Sequence, residues 1–374
     1  MSSDPAARAG ALLEIDLGAI VSNWRLLAER AAPAQCAAVV KANAYGLGAA
    51  PVTRALAAAG CRLFFVATLD EGIALRAALG PEPEIAVFNG PLPGTAAEFA
   101  AHRLIPVLNE PGQIRAWTGQ KASPAILHVD TGMSRLGLST REFTGFADEL
   151  PKTGIVWRAI ISHLACADTP DHALNEQQRA RFAAATHRMP GVPASLAASS
   201  GIFLGPAYHF DFARPGAALY GVNPQPGRPN PMRQVVRLSG KILQVREIDR
   251  GESVGYGAAH VMQKPGRVAT VAVGYADGWL RSLSHRGCGY IGGKRIPLLG
   301  RVSMDLVTFD VSAIEAAQAC PGASIELLGE HYGVDEAAAD AGTIGYEILT
   351  ALGARYHRVY RDPAPADLPT NPPE

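Results

Sequence analysis

Between Cys36 and about Tyr220, short apolar runs alternate with amphipathic stretches. The runs read CAAVV, RLFFVAT, EIAVFN, LIPVLN, AILHVD, IVWRAIISH, ASLAAS and HFDFAR, and each has the length of a strand buried on both faces. Most are separated by segments with helical signals. TLDEGIALRAAL opens with Thr68 and Glu71 at the spacing of a capping box, and NEQQRARFAAATHRM starts at Asn175, a predicted N-cap. Eight strand candidates joined by helical crossovers predict an α/β fold, a closed (β/α)8 TIM-like barrel. An open doubly wound sheet is the competing arrangement, but no G-x-G-x-x-G follows the first strand.

After Pro224 the pattern changes. MRQVVRLSGKILQVREI, GRVATVAVGYADG, GCGYIGGKRIPLLGRVSMDLVTFDV and GASIELLGE alternate apolar and polar positions between glycine-rich turns. Period two of this kind predicts a mainly antiparallel β domain. The expected division is a barrel over 12–228, the β domain over 229–362 and a proline-rich, disordered tail over 363–374. The strand at 12–16, in LLEIDL, precedes Ile20, Trp24 and Leu27 at helical spacing. Chain order assigns it to the barrel, with pairing to the second domain as the alternative.

Composition narrows the partners. Lys plus Arg and Asp plus Glu stand at 34 each in 374 residues, so no charged field exists to collect nucleic acid or an anionic membrane. A small-molecule substrate is the expectation. The five cysteines are scattered without metal-ligand spacing, as suits free thiols in a reducing compartment and no metal site. The N-terminal MSSDPAARAGALLEIDL lacks the basic region and long apolar core of a secretory signal, and no apolar run reaches membrane-spanning length. A cytoplasmic location is therefore expected.

In a barrel enzyme the chemistry sits where the strands end. The first strand runs into Lys41, the fifth into Asp130, Thr131 and then Arg135, the sixth into His163, the seventh into Ser199 and Ser200, and the eighth into Arg214. A solvated rim is the ordinary explanation for any one of these. Together they offer a nucleophilic amine, cations, an imidazole and hydroxyls on one face. The last two strand ends also carry SSG (199–201) and RPGAALYG, where the amides of Gly216 and Ala217 are unobstructed by bulky side chains. Loops in those positions often hold phosphate. A phosphate site facing a strand-end lysine points to pyridoxal phosphate held as a Schiff base.

The series VVKANAYG, VDTGMSRLG, FARPGAALYG, ESVGYGA, VGYADG, GRVSMD and GTIGYEI, in this order from about Leu12 to Val359, resembles the alanine racemase family. The resemblance implies pyridoxal 5'-phosphate on Lys41, with that amine later acting as a base at the substrate α-carbon. It implies phosphate contacts from Tyr45, Ser200, Gly216, Ala217 and Tyr346, with Arg214 at the pyridine nitrogen and His163 beside the ring. Tyr256 matches the second base, which in the family comes from the partner subunit, so a homodimer with shared active sites is implied. Arg135 and the backbone at Met304 match the holders of the substrate carboxylate. Tyr275, Tyr346, Ile344, Arg281 and Arg301 match the lining of a narrow access route, and Asp305 a supporting polar contact. The implied reaction is racemisation of L- and D-alanine by two bases, feeding peptidoglycan synthesis. Racemisation of serine or a wider set of amino acids is the near alternative. A decarboxylase of the same plan, which Arg214 disfavours, a non-catalytic cofactor-binding barrel and a Schiff-base aldolase rank below.

Four positions depart from the family pattern. His128 stands where many members have a lysine that becomes carbamylated and steadies the equivalent of Arg135. Three substitutes are open: His128 itself, an inorganic anion, or a looser Arg135. Leu47, Ser199 and Ser303 replace a common histidine, asparagine and cysteine, and none removes a base or the cofactor lysine.

Overall fold

The computed structural model describes residues 4–118 and 123–363, so that the predicted tail lies, from 364 on, outside the described residues. It divides into two compact units, Ile20–Arg233 on one side and 4–19 with Gln234–Asp362 on the other. After a one-turn helix, Pro5–Arg8, comes β1 (Ala11–Asp16). The first unit then holds β2 (Gln35–Cys36), β3 (Ala38–Val39), β4 (Leu63–Val66), β5 (Glu84–Val87), β6 (Ile105–Leu108), β7 (Pro124–His128), β8 (Val156–Ile161), β9 (Ala194–Ser195) and β10 (Phe212–Ala213).

Strands β3 to β9 form a seven-stranded parallel sheet in chain order. Closure comes from β10, which pairs in parallel with β2. On its other side, Asp211 N and Arg214 N donate to Ala194 O and Ala197 O, each at 2.9 Å. The predicted barrel is thus the observed one. Every position of β4 and of β6 is buried, because a parallel strand covered on both faces has no side to turn to water.

The helix Leu69–Leu79 starts on the predicted capping box, with Thr68 Oγ1 accepting the Glu71 N–H at 3.3 Å. Asn175 is a correction. The helix begins at Ala173 and His172 caps it, its Nδ1 accepting the Leu174 N–H at 3.2 Å. Asn175 sits in the first turn, where its Nδ2 donates to Cys166 O, Thr169 O and Pro170 O and ties the preceding loop to the helix. The unit ends at Arg233 rather than 228. Asn23 pins that backbone, Nδ2 donating to Arg233 O at 3.0 Å and Oδ1 accepting from Arg233 N at 2.7 Å.

The other unit is built from β11 (Val236–Ile248), β12 (Ser253–Val254), β13 (His260–Val261), β14 (Gly266–Val271), β15 (Cys288–Ile291), β16 (Lys294–Leu299), β17 (Val307–Asp310), β18 (Ser324–Leu328) and β19 (His357–Arg361). β11 pairs antiparallel with both β18 and β14, so β14, β17, β16, β15, β18 and β11 return on themselves as a closed barrel. β11 closes the barrel by serving both β14 and β18, because it bends. A register shift falls between Ile242 and Gln244, and at Gly240 a Cβ would lie 2.6 Å from Val271 Cγ1. β1 pairs with β11 and with β19, hence with this unit and not with the parallel barrel. Its strictly alternating burial suits a sheet with one covered face. Among the described residues no helix is long and apolar enough to cross a membrane.

Candidate active site

Lys41 follows β3 and begins a turn that local propensity does not ask for. Ala42, Asn43, Ala44 and Tyr45 have φ of 52°, 55°, 54° and 53°, a left-handed helical turn made without glycine. The side chain at 45 therefore leaves a turn of the opposite hand to an ordinary helix. Backbone bonds close it, Ala44 N to Val40 O at 2.8 Å and Gly46 N to Ala42 O at 2.7 Å. Two side chains hold it from outside. Asn43 Oδ1 accepts from Ala49 N at 2.8 Å, and Glu71 Oε1 accepts from Ala42 N at 2.6 Å. Glu71, read from the sequence only as a helix cap, thus reaches the lysine turn as well. The Lys41 Nζ lies 5.9 Å from the centre of the Phe88 ring. Desolvation, then the charge of Arg135, lowers its pKa from the ordinary range, with Glu71 opposing.

The loops after β9 and β10 start two 3-10 helices, Ser200–Leu204 and Ala217–Tyr220. Ser199, 4% exposed, joins them, its Oγ accepting from Gly216 N at 3.0 Å and Ala218 N at 3.2 Å. The amide of Gly216 is therefore engaged within the protein. Ala217 N–H keeps no partner among the described residues. Gly216 matters for space instead, since a Cβ there would lie 2.4 Å from the Tyr45 hydroxyl. Tyr45 is buried, its ring 4.8 Å from that of Tyr220.

Arg214 is 2% exposed. Its Nη1 donates to Ser195 O at 2.8 Å and to Ser195 Oγ, and its Nη2 to Ser162 O at 2.5 Å. Its Nε–H has no partner among the described residues. Burial pushes the guanidinium down to about 9, so it remains charged at neutral pH. Behind it, Gln178 Nε2 donates to Thr131 Oγ1 at 3.2 Å and His163 O at 2.9 Å, and Thr131 Oγ1 pairs with Ser162 Oγ at 2.8 Å. This network braces the ends of β7 and β8; Gln178, in the interior of a polar helical stretch, carried no signal in the sequence.

His163 is pushed down to about 3, first by desolvation and then by Arg214, Arg135, His128 and Lys41. His128 falls to about 4 for the same first reason, with Arg214 and Arg135 adding and Asp130 opposing. Its tautomer follows from its neighbour. Asn109 Nδ2 donates to Phe88 O at 2.8 Å and Val107 O at 3.0 Å, which leaves Oδ1 facing His128 Nδ1 at 2.7 Å. Nδ1 thus carries the proton and Nε2 is an acceptor. Arg135 is exposed, on a loop wrapped around Asp130. That carboxylate accepts from Gly132 N, Met133 N and Ser134 N at 2.8–2.9 Å. Burial works against its charge, but those amides outweigh it and hold the carboxyl below the usual range.

The remaining predicted residues lie in the second unit. Tyr256 heads the turn between β12 and β13 and is 74% exposed. Gly257 in that turn stands 3.2 Å, from where a Cβ would be, to Arg301 Nη1. Tyr275 and Met304, both exposed, sit on neighbouring turns joined by Tyr275 N to Ser303 O at 3.0 Å and Ala276 N to Met304 O at 2.9 Å. Ser303 closes its turn, Oγ donating to Leu306 O at 2.6 Å. The Asp305 carboxylate accepts from Arg355 Nη1 at 2.7 Å. Arg281 opens the short helix Arg281–Leu283; Ile344 is exposed and caps the helix Gly345–Ala351, where Tyr346 lies.

The family model of the alanine racemase N-terminal domain matches residues 15–224, and that of the C-terminal domain residues 235–360. An alanine racemase of Rhodospirillum rubrum is 55% identical over 361 residues, covering 94% of this chain and 96% of that protein. A catabolic alanine racemase of Mesorhizobium japonicum is 51% identical over 360 residues, with 95% and 94% covered. The crystal structure of alanine racemase from Bartonella henselae with covalently bound pyridoxal phosphate matches with a TM-score of 0.91 at 41% identity, over 94% of this chain and 100% of that one. With both domains matched and relatives this near over almost its whole length, the chain belongs to the alanine racemase family.

Proposed function

We propose that this chain interconverts L- and D-alanine with pyridoxal 5'-phosphate, by a two-base mechanism, and supplies D-alanine for peptidoglycan. One observation carries the reading: Arg214 is a buried, anchored guanidinium with its Nε–H unengaged, on the strand beside the one that leads to Lys41. The set fits the cofactor. Ala217 N–H suits a phosphate, and the missing Cβ of Gly216 makes room for the Tyr45 hydroxyl beside it; Ser200 and Tyr346 are the further contacts the family resemblance implies. When bound, pyridoxal phosphate supplies a carbonyl for an amine to capture and a ring that stabilises negative charge at an amino-acid α-carbon. Arg214 holds a ring nitrogen by donation without giving up its proton, which favours racemisation over decarboxylation. His163, neutral at physiological pH, packs beside it without adding charge.

Lys41 holds the cofactor and, once freed, moves the α-proton on one face; its lowered pKa leaves more of the amine neutral. Tyr256 serves the opposite face. Its 74% exposure within its own chain supports delivery into a partner subunit's site, hence a homodimer. Arg135 and the backbone at Met304 hold the substrate carboxylate, Asp305 supporting the Met304 turn. Tyr275 and Tyr346 restrict side-chain size. The free cysteines support a reducing, cytoplasmic location.

The test is racemisation of L-alanine beside L-serine and a larger amino acid, read by chiral separation, with visible spectra before and after borohydride. Fast D-alanine formation by a yellow protein bleached on reduction is expected. A yellow protein acting only on the other amino acids would overturn the specificity, and a colourless, inert one the reading itself.

A further inference from the structure

Arg355 joins two turns far apart in sequence. Its Nε and Nη2 donate to Asp277 Oδ1 and Oδ2 at 2.6 and 2.8 Å, and its Nη1 to Asp305 Oδ1 at 2.7 Å. Asp277 is 5% exposed and belongs to the Tyr275 turn, where its Oδ2 also accepts from Gly274 N at 2.9 Å. Asp305 belongs to the Met304 turn. The backbones of the two turns already touch, since a Cβ on Gly274 would lie 2.3 Å from Met304 O. A cavity of about 290 Å³, bordered by Gly10, Ala272, Leu306 and Tyr356, lies against the same carboxylates. The guanidinium fork spans the two turns there. A lysine, with one point charge, cannot serve both carboxylates in this geometry.

We propose that Arg355 is a positioning residue for substrate selection, locking the spacing between Tyr275 and Met304 through Asp277 and Asp305. The inference rests on the reading above that Met304 and Tyr275 border the substrate. Loss of the fork lets the turns separate. Alanine then binds less well, and the larger serine is excluded less strictly.

The experiment is a double-mutant cycle on the holoenzyme, with Arg355→Lys, Asp305→Ala and the pair. Arg355→Lys keeps a cation beside the buried Asp277, and Asp305→Ala removes an exposed carboxylate, so each leaves the core intact. Each single variant should raise KM for L-alanine about tenfold and lower the alanine-to-serine ratio of kcat/KM, with kcat and the visible spectrum little changed. The pair should lose no more than Arg355→Lys alone, because the Asp305 contact is already gone in that single variant. Unchanged KM and selectivity, or fully additive losses, would overturn the role of Arg355 while leaving racemisation standing. A wild-type enzyme inert on alanine would overturn both.

Discussion

Glu71→Gln separates two roles that one carboxylate plays at the lysine turn. Its Oε1 accepts from Ala42 N at 2.6 Å, while Oε2 accepts from Ala67 N at 2.8 Å and Thr68 N at 3.3 Å. A glutamine has one carbonyl oxygen, so it can serve the helix cap or the lysine turn but not both. Losing one charge-assisted bond of this kind costs about 1.5–3 kcal/mol. The turn has little tolerance for that loss. Holding Ala42, Ala44 and Tyr45 left-handed costs roughly 3–6 kcal/mol in total, asparagine being tolerant. Without its anchor the turn relaxes and Lys41 is misplaced. We expect the melting temperature to fall by about 3–12 °C and racemisation about 10- to 100-fold. The sign of the electrostatic effect sharpens the test. Glu71 raises the pKa of Lys41, so its neutralisation leaves more free amine and, by that route alone, equal or faster turnover. Scanning calorimetry with initial rates at saturating cofactor distinguishes the two. Unchanged melting with unchanged or raised turnover would refute the anchoring argument.

Ser199→Ala strips the acceptor from Gly216 N and Ala218 N, and we expect cofactor affinity to drop roughly tenfold, one or two unpaired buried amides being worth about 1–3 kcal/mol; absorbance titration of the apoenzyme measures it. Tyr256→Phe should abolish deuterium incorporation from solvent into one alanine enantiomer much more than the other, and equal losses in single-turnover exchange would count against two bases. His128 and His163 are held at about 4 and about 3, below the ordinary 6.5. The unfolded chain therefore takes up protons that the fold refuses, so their stability contribution is complete above about pH 6.5 and declines as pH falls toward 4 and 3, by at most about 1.4 kcal/mol per pH unit for each. Denaturation midpoints between about pH 5 and 6.5 should shift less in His128→Gln than in wild type. Because a neutral His128 cannot form a carbamate, added bicarbonate should leave the rate of a decarbonated sample unchanged.

Much was legible before any coordinates. Short apolar runs alternating with helical segments favoured interior parallel strands, and the missing G-x-G-x-x-G favoured a barrel over an open sheet. The Thr68–Glu71 box followed from two residues three apart, because capping is local. The motif series pointed to the family whose two domain models match, and the roles proposed for Lys41, Arg214 and Tyr256 rest on that resemblance. Asn175 was misread because an asparagine before a helical pattern looks like a cap, whereas its amide here serves the loop behind it.

Other features belong to tertiary structure alone. Alanine prefers the right-handed helix, so no local rule predicts a left-handed turn at Ala42–Tyr45; contacts from Glu71 and Asn43 select it. The tautomer of His128 depends on Asn109, and the engagement of the Gly216 amide on Ser199. Arg355 reaches partners 78 and 50 residues away. β1 shows the same division: its alternation declared one buried face, but only pairing with β11 and β19 decided which sheet received it. Period and propensity act over a few residues and specify which face is covered. The partner that covers it is chosen by packing across the chain.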